Sequence, residues 1–226
     1  MPMARVSFSD ELEAAEQGLL EEGRLVQKQL ARVMTALETH DSDLGQRVID
    51  DDDLVDDLYL ATDSRILNLI ALQAPVAGDL RLVSALLHSN VHLERMGDLC
   101  VNVAKFVLNR HPYPSDTGLM VSLQEMGTRA QEMIGLSLDA FARRSVELAE
   151  RLPSMDDAID RLNRGMLHHL RDFVGDEDSY EWAIKLLLVA RYLERIGDHA
   201  VDIGEQTSFL VTGVFKEFTD ASHDQT

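Results

Sequence analysis

The sequence repeats one acidic phrase: Leu93-Glu94-Arg95-Met96-Gly97-Asp98 and, 100 residues on, Leu193-Glu194-Arg195-Ile196-Gly197-Asp198. The likeness runs on to Val101 and Val201, and it also reaches backwards. Asp52-Asp-Leu-Val55-Asp56-Asp-Leu58 corresponds to Asp156-Asp-Ala-Ile159-Asp160-Arg-Leu162 at an offset of 104. A repeat of this length is too large for one turn of a short solenoid and predicts two related halves. Each half then carries two Asp/Glu-x-x-x-Asp pairs inside otherwise apolar helical sequence. Carboxylates in such places are costly unless something neutralises them.

Apolar spacing sets the fold class. Leu12, Ala15, Leu19, Val26, Leu30, Val33 and Leu37 predict a first helix ending near Thr39-His40-Asp41. Leu44, Val48, Val55, Leu58, Thr62, Ile66 and Leu69 predict a second, stopped before Pro75. A third begins around Val76-Ala77-Gly78-Asp79 and passes through the first motif to about Asn109. Two prolines and a glycine between Arg110 and Gly118 mark a linker. The pattern restarts with Met126, Ala130, Met133, Leu136, Ala140 and Leu148 on a fourth helix, and Pro153 is placed to open a fifth. After a break at Gly175-Asp-Glu-Asp-Ser179, Trp182 to about Leu210 forms the sixth and carries the second motif. A frayed polar end follows. No segment alternates with period two for long. The expected fold is all-α: two pseudo-repeated antiparallel three-helix bundles of six long helices, over residues 1–112 and 113–226.

Charge narrows the function classes. The net charge of −19 leaves no surplus of Lys and Arg to displace counterions from phosphates, which argues against a nucleic-acid binder. It argues equally against adsorption to an anionic membrane. Cations, or basic surfaces of protein partners, are the natural counterparts. A lone cysteine, Cys100, excludes an internal disulfide framework, fits a reducing cytosol and reads as a small buried hydrophobe. The opening residues lack an apolar core of signal-peptide length, and runs such as Leu186 to Ala190 fall far short of the ~20 residues of a membrane span. A soluble, cytoplasmic protein without membrane insertion is expected.

Residues at i and i+4 lie about 40° apart on a helix. Asp52 and Asp56 therefore share an arc with Val55, Tyr59, Asp63 and Ile66, and Glu194, Asp198 and Asp202 share theirs with Leu187, Ala190 and Val201. Adjacent helices can bring the pairs of each half together, and four crowded carboxylates repel unless cations intervene. Oxygen donors without thiolates suit Mg²⁺, Mn²⁺, Ca²⁺ or ferric iron, and Zn²⁺ is compatible. Gly97 and Gly197 leave room for close helix approach or for an ion. Asn102 stands where the second half has Asp202, so the first site reads as one charge poorer. His92 and His199 flank the motifs and can add nitrogen ligands, although solvent or hydrogen-bond roles are the ordinary expectation. A plainer alternative is a solvated acidic face, with Arg95 and Arg195 forming salt bridges along the helix.

Taken together with Pro75-Val-Ala-Gly-Asp79-Leu-Arg81, these segments resemble the PhoU family of phosphate-specific transport regulators, over roughly residues 10–215. The resemblance implies two pseudo-symmetric three-helix bundles and, as in some members, multinuclear metal clusters. Carried onto this sequence, the ligands are Asp52, Asp56, Glu94 and Asp98 in one half, and Asp156, Asp160, Glu194, Asp198 and Asp202 in the other. The metal ions are divalent or trivalent, among Fe, Zn, Mg and Mn. Asn102 departs from the acidic pattern. The resemblance further implies a homodimeric, non-enzymatic negative regulator of phosphate uptake and phosphate-starvation signalling. Such a regulator links the ATPase of a phosphate ABC transporter to a membrane sensor histidine kinase.

Two rival classes remain. A carboxylate-bridged di-iron oxidoreductase needs Glu-x-x-His pairs, and Gly97 and Gly197 stand where those histidines belong. A purely structural bundle would use the charges as surface salt bridges. No nucleophile–base pair, phosphate-cradling loop or Cys/His metal motif is present, and the adjacent His168 and His169 face different sides of a helix.

Overall fold

Six long helical rods follow the predicted periodicity, and two of them are interrupted. The computed structural model describes residues 2–109, 117–173 and 177–218. Residues 110–116 of the expected linker, Gly175 and Asp176 of the expected break, and the polar end from residue 219 lie outside the described residues. The first rod is α1 (Pro2–Thr39), the second α2 (Ser42–Asp50) with α3 (Asp52–Gln73), and the third α4 (Gly78–Leu108). The second half consists of α5 (Gly118–Arg143), the short α6 (Val146–Ala149), α7 (Leu152–His169) continued by a 3₁₀ turn (Leu170–Phe173), and α8 (Glu177–Thr212). Among the described residues there is no strand, and no helix is long and apolar enough to cross a membrane.

The interruptions have local causes. The expected second helix tightens at Asp51, within four consecutive aspartates that repel one another and favour caps over helix interiors. The Asp51 carboxylate is drawn to Arg32 on α1. The expected fourth helix ends at Arg143, so Leu148 belongs to α6. Arg144 adopts a left-handed conformation, φ 54°. Its guanidinium donates to the Phe141 carbonyl at 2.7 Å and to Glu16 on α1 at 2.6 Å, and it lies over the Phe141 ring. Ser145 then caps α6 by accepting from the Leu148 amide, and Pro153 sits in the first turn of α7.

A pseudo-twofold axis passes between α1 and α5, where equivalent residues meet at the same offset of 104 as the acidic helices. Gln27 Nε2 donates to the Gln131 carbonyl at 3.1 Å, and Gln131 Nε2 donates to the Gln27 carbonyl at 3.4 Å. A β-carbon at Gly23 would lie 2.5 Å from Leu138, and one at Gly127 would lie 2.7 Å from a Met34 carbon. Each helix thus offers a glycine notch to the other's side chain. Across the same axis α4 packs on α8, and one continuous apolar core includes Leu19, Leu30, Leu86 and Leu93 from the first half and Met126, Phe141, Leu186 and Leu193 from the second. The two halves share their interior.

Ala74 closes α3 in the left-handed conformation (φ 44°, ψ 62°), with its amide bonded to the Ile70 carbonyl at 3.3 Å. That conformation costs a residue with a β-carbon roughly 1–2 kcal/mol, and Ala74 is exposed, so its methyl group adds little packing. Ala74→Gly is expected to stabilise the fold by about 0.5–1 kcal/mol, seen as a higher urea midpoint at unchanged m.

Candidate metal centres

In the first half, Asp52 and Asp56 lie one turn apart on α3, and Glu94 and Asp98 one turn apart on the adjoining α4. Asn90 Nδ2, one turn before Glu94, donates to the Tyr59 carbonyl at 3.0 Å and ties the two helices together. Asp52 Oδ1 accepts from Gln29 Nε2 on α1 at 2.9 Å. Partial burial raises the Asp52 carboxyl above its usual range, the Gln29 hydrogen bond opposes the rise, and Asp56 and Asp98 add to it. Asp56 is raised by desolvation and then by Asp98, Asp53 and Asp57. Glu94 is raised by burial and then by Asp98 and Asp56, with Arg95 working the other way. Among the described residues, none of these four carboxylates forms an ion pair.

A fifth carboxylate stands behind them. Glu22 on α1 is fully buried, and neither of its oxygens has a hydrogen-bond partner. Burial first, then repulsion from Glu94 and Asp56, pushes it up to about 9. Sequence reasoning passed over Glu22, although a signal was there: it falls between Leu19 and Val26 on the apolar stripe of the first helix. Its counterpart at the 104-residue offset is Met126, so the second half has no such group.

The second half handles its charge differently. Glu194 accepts from Asn163 Nδ2 at 2.9 Å and is paired with Arg191, and Asp160 is paired with Arg164 at 3.2 Å. Asp156 is buried. Asp198 is pushed up to about 6, chiefly by burial and then by Glu194, while Arg191 pulls it down. Asp202 turns to His92 on α4 and to its neighbour His199, at 3.2 and 3.3 Å. Burial, reinforced by His199, Arg95 and His88 and opposed by Asp202, lowers His92 to about 4. The first cluster gains Glu22 and has no paired cation, whereas the second carries Arg191 and Arg164 and directs Asp202 elsewhere.

The salt-bridge partners expected from the sequence are corrected. Neither Arg95 nor Arg195 lies within 4.0 Å of a carboxylate oxygen among the described residues; Arg191 and Arg164 make the pairs that were expected of them. Gly97 and Gly197 act as close-approach positions. A β-carbon at Gly97 would lie 3.2 Å from Asp52 Oδ1, and one at Gly197 would lie 2.6 Å from Asp156 Oδ1. Cys100 is fully buried and burial pushes its thiol up, so it is no thiolate ligand.

These residues fit a hard cation best in the first half. There four carboxylates adjoin a buried carboxyl with two oxygens lacking hydrogen-bond partners. Neither quartet converges as tightly as a closed cage. Among the described residues, the one group of three His, Cys or acidic donors with all donor atoms within 4.8 Å of one another is His92, His199 and Asp202.

The model of the PhoU domain matches residues 19–107 and 123–207, one stretch in each half, and the chain belongs to that family. It is 32% identical over 220 residues to a phosphate-specific transport system accessory protein PhoU homolog of Clostridium acetobutylicum, covering 96% of this chain and 100% of that one. The crystal structure of PhoU from Pseudomonas aeruginosa superposes with a TM-score of 0.84 at 32% identity, over 92% of this chain and 100% of that one. The phosphate transport system regulatory protein PhoU from Streptococcus pneumoniae gives 0.85 at 27% identity, over 93% and 100%.

Glu22 makes stability depend on pH. Between its unfolded value of 4.5 and its folded value of about 9, the native state holds a proton that the unfolded chain has released. Stability of metal-stripped protein should therefore fall as pH rises through that window, by up to about 1.4 kcal/mol per unit from this group alone. Glu22→Gln keeps the shape without the ionisation and should flatten the slope. Urea denaturation at a series of pH values, with chelator present, measures both.

Proposed function

We propose that the chain is a non-enzymatic accessory protein of phosphate-specific transport that holds phosphate-starvation signalling down while phosphate is plentiful. It acts in the cytoplasm as an adaptor between the ATPase of a phosphate ABC transporter and a sensor histidine kinase. The observation that carries this reading is the family match through both halves, with the doubled Glu-Arg-x-Gly-Asp phrase on the third rod of each. Relatives and structural neighbours are named for accessory or regulatory roles in phosphate transport.

Surface chemistry supports docking. Leu54, Leu60, Leu67 and Ile70 are exposed on α3, beside exposed Asp53 and Asp57. Such a face suits a partner with an apolar centre and a basic rim, and the net charge of −19 favours encounter with one. A homodimer belongs to the same proposal.

The carboxylate clusters are proposed as metal sites: Asp52, Asp56, Glu94 and Asp98 with Glu22 behind them, and Asp156, Asp160, Glu194 and Asp198. A bound ion would supply the positive charge that relieves carboxylate repulsion and would join neighbouring helices. In the second half Arg191 and Asn163 already supply part of that compensation at Glu194, so dependence on metal should be concentrated in the first.

Deleting the protein is expected to leave phosphate-starvation genes switched on in phosphate-replete cells. Pull-down of the transporter ATPase and of the kinase's cytoplasmic region should weaken with added salt, because the screening length shrinks to ~3 Å at 1 M. Normal repression after deletion, with no binding to either partner at low salt, would falsify the adaptor reading. Separately, added Mg²⁺, Mn²⁺, Zn²⁺ or Fe³⁺ should raise the melting temperature of stripped protein; a ligand at a hundred times its Kd contributes about 2.7 kcal/mol. Asp98→Asn should lose more of that shift than Asp198→Asn. Equal losses, or no shift with any ion, would overturn the assignment.

A further inference from the structure

His92 on α4 and His199 with Asp202 on α8 come together where the two halves pack on each other. Their nearest donor atoms form an almost equilateral triangle. His92 Nδ1 is 3.2 Å from His199 Nδ1 and 3.2 Å from Asp202 Oδ2, and His199 Nδ1 is 3.3 Å from the same oxygen. The His199 side chain is 10% exposed, His92 18% and Asp202 40%, so the triangle is walled by protein and opens towards solvent beside the carboxylate.

Hydrogen bonding alone satisfies this arrangement poorly. A neutral imidazole has one N–H, and a carboxylate has none. If one Nδ1 carries its proton, that hydrogen serves one or two edges and leaves lone pairs facing each other across another. If both Nδ1 atoms carry protons, both donate to the one Asp202 oxygen, and the two hydrogens crowd each other across the His92–His199 edge, which then has no bond. The other ring nitrogen of His199, Nε2, is buried without a hydrogen-bond partner, so no second contact fixes its tautomer. A cation outside the plane of the triangle would meet all three lone pairs at once. In tetrahedral coordination with bonds of about 2.0–2.1 Å, neighbouring ligand atoms lie about 3.3 Å apart, which matches the three edges.

We propose that His92, His199 and Asp202 form a transition-metal site, best suited to Zn²⁺, that clips α4 to α8 and so joins the two halves. Two imidazoles and one carboxylate suit zinc, whereas hard ions favour all-oxygen surroundings. Water from the open side completes the fourth position. Arg95 and His88 lie near His92 and disfavour added positive charge, and Asp202 offsets them. The site has no copy by the repeat: the positions equivalent to His92, His199 and Asp202 are Tyr192, Leu99 and Asn102. It shares no ligand with the two carboxylate clusters proposed above.

The test is Co²⁺ titration of the full-length, metal-stripped chain, read by visible ligand-field absorption. Four-coordinate nitrogen–oxygen sites absorb strongly; all-oxygen six-coordinate sites absorb weakly, so the two kinds of site are told apart. The expected result is a strong four-coordinate band reaching one equivalent, displaced by Zn²⁺ and retained in Asp52→Asn/Asp98→Asn protein. His92→Gln and Asp202→Asn, both at partly exposed positions, should each weaken binding by more than about tenfold. Helical circular dichroism identifies variants that fold, and either folded variant suffices. A missing four-coordinate band, or one unchanged in a folded His92→Gln or Asp202→Asn variant, overturns the proposal whatever the carboxylate clusters bind.

Discussion

Close approach of helix backbones at glycine is the constraint on which the rest of this structure depends. Gly23 and Gly127 let α1 and α5 interlock about the pseudo-twofold axis, each accepting the other's Met34 or Leu138. Gly97 and Gly197 then let the aspartates of α3 and α7 press onto the third rods. Helices held this near cannot keep their charged side chains apart in water. Crowded carboxylates, raised proton affinities and the meeting of α4 with α8 are consequences of that geometry.

The two halves answer the crowding in different ways. In the second, Arg191, Arg164 and Asn163 lie within bonding distance of Glu194 and Asp160, so part of the negative charge is compensated internally. In the first, no such ion pairing is present among the described residues, and Glu22, at the position that Met126 fills in the second, is kept protonated at neutral pH by burial and by the repulsion of Glu94 and Asp56. The halves share one core, so a change in charge compensation on one side bears on helices that also pack the other.

Much of the architecture could be read along the chain. The apolar spacing located the rods, the repeat gave the pseudo-symmetry, and Pro153 marked the start of α7. Misplaced boundaries came from contacts between distant segments: Asp51 is held by Arg32, and Arg144 is held in its left-handed turn by Glu16 and the Phe141 ring. The acidic pairs were legible because i, i+4 spacing is local. Their surroundings were not. Ion pairing fell to Arg191 and Arg164, which the repeated phrase omits, rather than to the Arg95 and Arg195 within it.

The sequence by itself determined a doubled, all-helical chain with an acidic pair on the second and third rods of each half, since both repeat and helical period are properties of neighbouring positions. Tertiary structure alone decided which carboxylates meet a cation, which stay bare, and where Asp202 belongs. Glu22 reaches the first cluster from a helix some thirty positions earlier in the chain than Asp52, and Asp202 leaves its own motif for a histidine of the other half. Both outcomes follow from rotation and depth of packing. Those are set by side-chain volumes across the pseudo-twofold axis, and no local spacing encodes them.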